Sequence, residues 1–383
     1  MPEPAPGPGS VILPDGSLIG EPYVLYADDA IGISEGETVP YVAAATVYDG
    51  YLADAAGIVK GQVQVKVAKG KLDKKSGLFS AKVAATVQMA DGAKLSFKNG
   101  VADAAGTVTS MSAGGHVLDV FLGVSGLGGS FDGYRIDGAR NVFSAKDKKT
   151  KELAAAIEKK WGGSVNVAGD GVVLAVSIAK KGKVKVSGSV NGVTVSATSQ
   201  LLVGEEVCCI PVVITKKANL AFNLWLAGDG SVEIAGLDGA TVGKAGALKG
   251  GAAFGMNGAA LERALPGLLA DYLPDGLAVG LNKTKWVVAP DEKGKAAKAG
   301  KVAINKKTGE IDETKLGENP SALKLTYTAK SGSFKGSFKA YALDAKGKIK
   351  SYTVNVTGVM VGGTGYGTAT LKKPAVSWPV AVE

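Results

Sequence analysis

The sequence predicts an all-β protein with two short helices. It reads as three related antiparallel β-barrel or β-sandwich units of about 100 residues each. Three observations predict this. First, a lysine–glycine turn feeding an alternating strand recurs. Lys74-Lys75-Ser76-Gly77 leads into Leu78–Val87, Lys180-Lys181-Gly182 into Lys183–Val190, and Lys330-Ser331-Gly332 into Ser333–Tyr341. Second, glycine supplies 55 of 383 residues without a collagen period, which calls for many tight turns and hence many short strands. Third, Asp-Gly recurs at 15, 49, 91, 132, 137, 170, 229, 238 and 275, and Asn-Gly at 99, 191 and 257. These dipeptides reach the positive φ that hairpin turns require.

In chain order, residues 1–43 read as a Pro/Gly linker and transition. Pro2–Ser10 is linker-like, a strand is expected at Tyr23–Tyr26, and Asp28, Asp29, Glu35 and Glu37 form an acidic cluster lacking the regular calcium-loop spacing. Residues 44–142 are the first β unit. Tyr48-Asp49-Gly50-Tyr51 is expected as a turn, Gln62–Val67 as a half-buried strand, then come Lys94–Lys98, Thr107–Met111 and Val117–Leu122. A linking helix falls in 143–163. Thr150 would cap it, Leu153, Ile157 and Trp161 share one face, and Gly162-Gly163 stops it.

Residues 164–245 are the second β unit, with strands at Val172–Ile178, Val193–Leu202, Val207–Thr215 and Leu220–Leu226. Its closing Leu237-Asp238-Gly239-Ala240 echoes Ile136-Asp137-Gly138-Ala139 and suggests duplication. A second linking helix falls in 246–275, capped by Asn257 and kinked or divided by Pro266. Residues 276–383 are the third unit. It carries a Lys/Ala/Gly-rich insertion at Asp291–Lys301 and a last strand at Val376–Val382, where Pro379 marks an edge or bulge.

The net charge is +9, but only Arg135, Arg140 and Arg263 are arginine. Nucleic-acid readers concentrate arginine with aromatics on one face, whereas these lysines sit at turns and outward strand positions. No nucleic-acid partner is expected, and no transmembrane segment is legible. Cys208 and Cys209 are adjacent in an apolar strand, so one should face the core and one the outside, with a vicinal disulfide as the alternative.

Little in the chain carries chemistry. His116, the single histidine, follows Gly114-Gly115 and lacks legible partners. Gly362-Gly363-Thr364-Gly365-Tyr366-Gly367 lies between two strands, so it reads as a hairpin with an aromatic tip and not as a phosphate loop. Asp132 with Asp137, and Glu205 with Glu206, are the carboxylate pairs nearest in sequence for glycoside hydrolysis. No metal site and no cofactor is expected. Aromatics beside glycine-containing turns are the remaining hint. Tyr48, Tyr51, Tyr134 and Tyr366, with Trp161 at the helix end, are the candidate ligand-binding residues, since loop aromatics can stack on sugars.

Four segments carry a resemblance: Tyr48–Tyr51, Ile136–Asn141, Gln200–Glu206, and Gly336–Tyr341 with Gly365–Thr370. Together they resemble uncharacterised repeat modules at the C-terminal end of large secreted bacterial proteins, over residues 44–383. The resemblance implies secretion and a partner domain upstream, and it carries no activity. The expected function is a non-enzymatic, extracellular or cell-surface module for adhesion, assembly or binding of a glycan or protein. A polysaccharide-active hydrolase and a C-terminal sorting or anchoring module are the alternatives. The Pro-rich start is expected to follow a removed signal peptide or another domain.

Overall fold

The computed structural model describes residues 11–12, 18–19, 45–123, 126–144, 148–204, 207–246, 248, 251–282 and 285–383. The expected strand at Tyr23–Tyr26, the acidic cluster at 28–37 and the pair Glu205–Glu206 lie outside them. The protein is all-β with two α-helices among the described residues, and its sheets are antiparallel and barrel-like. Two compact units emerge: residues 1–162, 178–186 and 196–238, and residues 163–177, 187–195 and 239–383.

The first unit begins with a short ladder of β1 (Val11–Ile12) and β2 (Leu18–Ile19). Its body is a nine-stranded sheet of β3 (Thr46–Ala53), β4 (Val59–Val67), β5 (Lys71–Leu72), β6 (Phe79–Met89), β7 (Lys94–Ala102), β8 (Met111–Ala113), β9 (His116–Leu122), β10 (Gly126–Phe131) and β11 (Tyr134–Arg140). The order is β5-β6-β4-β3-β11-β10-β9-β8, with β7 on the other side of β6. Residues 107–109 close it. Single bridges join Ala102 to Val108 and Thr107 to Phe121, and Thr109 N–H donates to Val101 O at 2.9 Å. Alternation fills the barrel from every strand. In β4, Val63, Val65 and Val67 are buried while Gln62, Gln64 and Lys66 are not. Tyr48, Leu52, Phe97 and Phe131 complete this core.

The expected turn at Tyr48–Tyr51 is instead the middle of β3, and Asp137-Gly138 is the middle of β11. The reason is steric. Gly50 and Gly138 face each other across the ladder, and a Cβ on Gly138 would stand 2.5 Å from Asp49 O and 2.7 Å from Gly50 Cα. Here glycine serves close approach of two strands, not positive φ. Asn99-Gly100 likewise lies inside β7, next to a register shift against β6, and makes a bulge. Asp132-Gly133, Asp170-Gly171 and Asn191-Gly192 do turn, each with both residues at positive φ.

Helix α1 (Lys148–Trp161) starts two residues before Thr150. It buries Ala154 and Trp161, half-buries Leu153 and Ile157, and ends where Gly162 N–H donates to Glu158 O at 2.8 Å. Next come β12 (Gly163–Gly169), β13 (Val172–Ile178), β14 (Lys183–Val190) and β15 (Val193–Gln200). A four-stranded sheet follows in the first unit: β16 (Leu202–Val203), β17 (Val207–Ile214), β18 (Leu220–Ala227) and β19 (Val232–Ala235). It covers the outer face of the β3–β11 wall, where Tyr51, Ala53 and Ala139 meet Leu202, Cys209, Val213 and Trp225. Because β17 is covered on both sides, both cysteines are buried, which corrects the expectation of one inside and one outside; both thiols are free. Strand β20 (Thr241–Lys244) pairs with β12 in the second unit. The turn at Asp238-Gly239 therefore differs in structure from its sequence echo at Asp137-Gly138.

The second unit is built on an eight-stranded sheet. Its strands are β21 (Ala252–Met256), β22 (Leu277–Asn282), β23 (Lys285–Val288), β24 (Lys324–Thr328), β25 (Ser333–Leu343), β26 (Ile349–Val361), β27 (Thr364–Leu371) and β28 (Val376–Val382), in the order β23-β22-β21-β28-β27-β26-β25-β24. At the two ends of this order Trp286 stacks on Tyr327, with centroids 5.2 Å apart and rings 4° from parallel. Phe254, Phe334, Phe338 and Trp378 fill the interior. Helix α2 (Ala259–Ala264) adds Leu261 and Leu265 to that core, and Asn257 Oδ1 accepts from Ala259 N–H at 3.0 Å. Pro266 divides the expected helix, which resumes only as a 3₁₀ turn at Ala270–Tyr272. Pro379 pairs with Thr368 of β27 just before the β21 pairing begins at Val380, where no ladder donor is missed.

Candidate functional site

The aromatic residues singled out by sequence take different structural roles. Tyr48 and Tyr51 are 0% and 1% exposed. Tyr48 lies in the barrel core and donates its hydroxyl to Gly123 O at 2.8 Å, while Tyr51 packs edge-on to Trp225 at 6.3 Å on the other side of the wall. Tyr134 is half-buried against the first barrel core, just after the Asp132-Gly133 turn. Trp161 is buried at the end of α1, with Lys160 Nζ 5.5 Å from its ring centroid. Tyr366 sits within β27 opposite Val359, half-buried against Val359 and Val361. The tip of that hairpin is Gly362-Gly363, so the expected aromatic tip is a glycine tip. In these positions Tyr48 and Tyr51 offer no ring face to a ligand.

The other chemical candidates fall into structural roles. His116 does have a partner: its Nδ1 lies 2.5 Å from Asp132 Oδ2, and its ring stacks on Phe131 at 5.8 Å. Asp132 also accepts from Val117 N–H at 3.0 Å, and these contacts hold its carboxyl below the usual range. Asp137 lies in β11, buried, and accepts from Arg135 Nε at 2.7 Å. Asp132 is therefore committed at an exposed turn and Asp137 at a covered strand. Burial pushes the Cys208 thiol up to about 11 and Cys209 well above its usual value, so neither is an activated nucleophile. Among the described residues no three His, Cys, Asp or Glu side chains gather as a metal site requires.

A cavity of about 520 Å³ on the second unit combines access with a uniform charge. Its floor is the outward face of the β25–β26 hairpin. Odd-numbered residues of both strands point outward there, which brings Lys339 opposite Thr353, Tyr341 opposite Ser351 and Leu343 opposite Ile349. Lys339, Tyr341, Ile349 and Ser351 line the cavity, and Lys339 Nζ donates to Thr353 Oγ1 at 2.5 Å. Lys348 enters from the hairpin turn. Asp344 shapes that turn by accepting from Lys346 N–H and Lys348 N–H, both at 2.9 Å, and its second oxygen faces Lys350 Nζ at 3.5 Å.

The opposite wall is residues 300–304, contributing Lys301 and Ile304. This wall is fastened down. Gly300 N–H donates to Asn319 O at 2.7 Å, Lys301 N–H to Lys315 O at 2.9 Å, and Asp312 N–H to Ala303 O at 2.8 Å. A Cβ on Gly300 would stand 1.9 Å from Leu316 O, so only glycine lets the loop close here. Asn319, 2% exposed, accepts from Leu323 N–H at 2.8 Å and donates to Leu323 O at 2.9 Å. The lining thus holds three lysines and no carboxylate, over an aliphatic and hydroxyl floor. Ammonium groups so placed can meet an anion as point charges.

Sequence reasoning missed this site because its lysines lie far apart in sequence and each looks like an ordinary turn or strand-face lysine. The alternation of β25 was the available signal, since it fixes Lys339 and Tyr341 on one face. Comparison with protein-family models, with curated proteins and with solved structures returns no match to this chain.

Proposed function

We propose that the chain is a non-enzymatic binding module, acting in adhesion or surface assembly, that holds a segment of an acidic polysaccharide in the lysine-lined groove of its second unit. One observation carries the reading: Lys301, Lys339 and Lys348 line one groove with no carboxylate among its described lining residues. Lysine suits a carboxylated or sulfated sugar, whose charges are spaced along a flexible chain, because its ammonium needs no fixed planar partner. Nucleic acid fits less well, since Tyr341, the only ring in the lining, is 4% exposed and gives bases no stacking platform. The reading carries with it an extracellular or cell-surface setting, where such polymers occur. The hydrolase alternative gains no support from Asp132 and Asp137, which are committed to His116 and Arg135.

The test is an array of polyuronates, sulfated glycans and neutral glycans, read at low and raised salt. Binding to acidic glycans that weakens with salt and fails in Lys301→Gln/Lys348→Gln is the expected result. Equal binding by that variant would remove the groove from the account.

A further inference from the structure

The hairpin joining β5 and β6 in the first unit exposes side chains that neither the barrel core nor the groove uses. Every residue from Lys71 to Leu78 is exposed. Leu72 and Leu78, at 63% and 70% exposure, are the two most exposed large hydrophobic residues of the described chain. Neither leucine belongs to the core of the barrel beneath it. Lys69, Lys71, Lys74 and Lys75 flank the two leucines along the hairpin, against the single acid Asp73 of the segment 69–78, and all four are exposed.

Asp73 is used within the turn. Its Oδ1 accepts from Lys75 N–H and Ser76 N–H, both at 2.8 Å, which fixes the carboxylate within the turn. The turn is closed by Asp73 N–H to Leu78 O and Gly77 N–H to Asp73 O, each at 2.9 Å, with Gly77 at φ +69. The base is stiffened by Phe79, whose ring occupies the space a Cβ on Gly70 would need. The tip is thus preformed and pays little ordering entropy on contact.

We propose that this tip docks on an anionic lipid bilayer. Leu72 and Leu78 enter the boundary between headgroups and acyl chains, while the four lysines rest among the lipid phosphates. Exposed aliphatic side chains at a hairpin tip with lysines beside them combine the apolar and the cationic contact that interfacial insertion uses. A protein partner fits less well. The leucines stand at the end of a two-stranded ribbon, which lacks the breadth of a stable protein interface, about 800 Å² on each partner.

The test is co-sedimentation of the full chain with phosphatidylcholine–phosphatidylserine vesicles and with pure phosphatidylcholine vesicles. The wild type should partition onto the anionic vesicles, weakly onto the neutral ones. Leu72→Ser/Leu78→Ser should reduce partitioning on the order of tenfold or more, and Lys74→Gln/Lys75→Gln by a similar factor. Both variants alter only exposed positions, and unchanged far-UV circular dichroism checks that they fold. A Leu78→Trp reporter should shift its emission to the blue on anionic vesicles. Lys301→Gln/Lys348→Gln should bind vesicles like the wild type, which separates this surface from the groove. The proposal is overturned if the leucine variant partitions like the wild type, if the reporter emission does not shift, or if the wild type stays in the supernatant.

Discussion

At the scale of single residues, the wall shared by β3 and β11 decides most. It carries two buried carboxylates. Asp49, 6% exposed, accepts from Gln64 Nε2 at 2.8 Å and Asn141 Nδ2 at 2.7 Å, and Asp137 from Arg135. In both, burial outweighs these partners and raises the carboxyl above its usual value. A raised folded value means the stabilising contribution is full below the ordinary carboxyl range and is lost as pH rises through the folded value. Asp49→Asn removes that loss. Its stability relative to wild type, read from urea midpoints, should improve from pH 4 to pH 8; a constant difference would contradict the assignment. The facing glycines are as demanding. Gly138→Ala should cost on the order of 2–3 kcal/mol in denaturant unfolding, because the clash is with backbone that cannot move aside. Neither feature was legible in sequence. Asp-Gly reads as a turn wherever it occurs, and only the ladder shows that Gly50 meets Gly138.

At the scale of elements, the strands were the most legible part. The alternation in Val59–Val67, Phe79–Met89 and Ser333–Leu343 is a direct record of which face is buried, and all three lysine–glycine turns do feed strands. Helix α1 was legible from its apolar face, and the break at Pro266 from the missing amide. The wall of the groove was not, because residues 291–323 have almost no regular structure to betray them in a periodic pattern. That wall depends on Asn319, which ties off Leu323 on both sides. Asn319→Ala should therefore cost about 2–3 kcal/mol, chiefly by leaving the buried Leu323 amide without its acceptor. It should weaken acidic-glycan binding as well, although the side chain does not line the groove. Retention of full stability in thermal melts would show that the loop is held by other contacts.

At the scale of the whole molecule, the sequence predicts class and charge well and site poorly. The net charge of +9 comes almost wholly from lysine. In sequence these lysines look like uniform protection of strand edges. The fold brings Lys301, Lys339 and Lys348 to the groove on the second unit, whereas the lysines of the first unit's hairpin tip are already clustered at 69–75 in sequence. The reverse holds for Tyr48 and Tyr51, which look exposed beside glycine, yet that glycine is where two strands press together. General lysine electrostatics would be spread over the surface and would respond alike to any substitution that removes a positive charge. A true groove would respond only to its own lysines. The direct test is titration calorimetry of a polyuronate into the wild type, Lys301→Gln/Lys348→Gln, and a control of equal charge, Lys94→Gln/Lys98→Gln on the first barrel. The groove variant should lose at least about tenfold in affinity while the control stays within about twofold of wild type. Equal losses in the two variants would contradict it and reduce the binding to net charge.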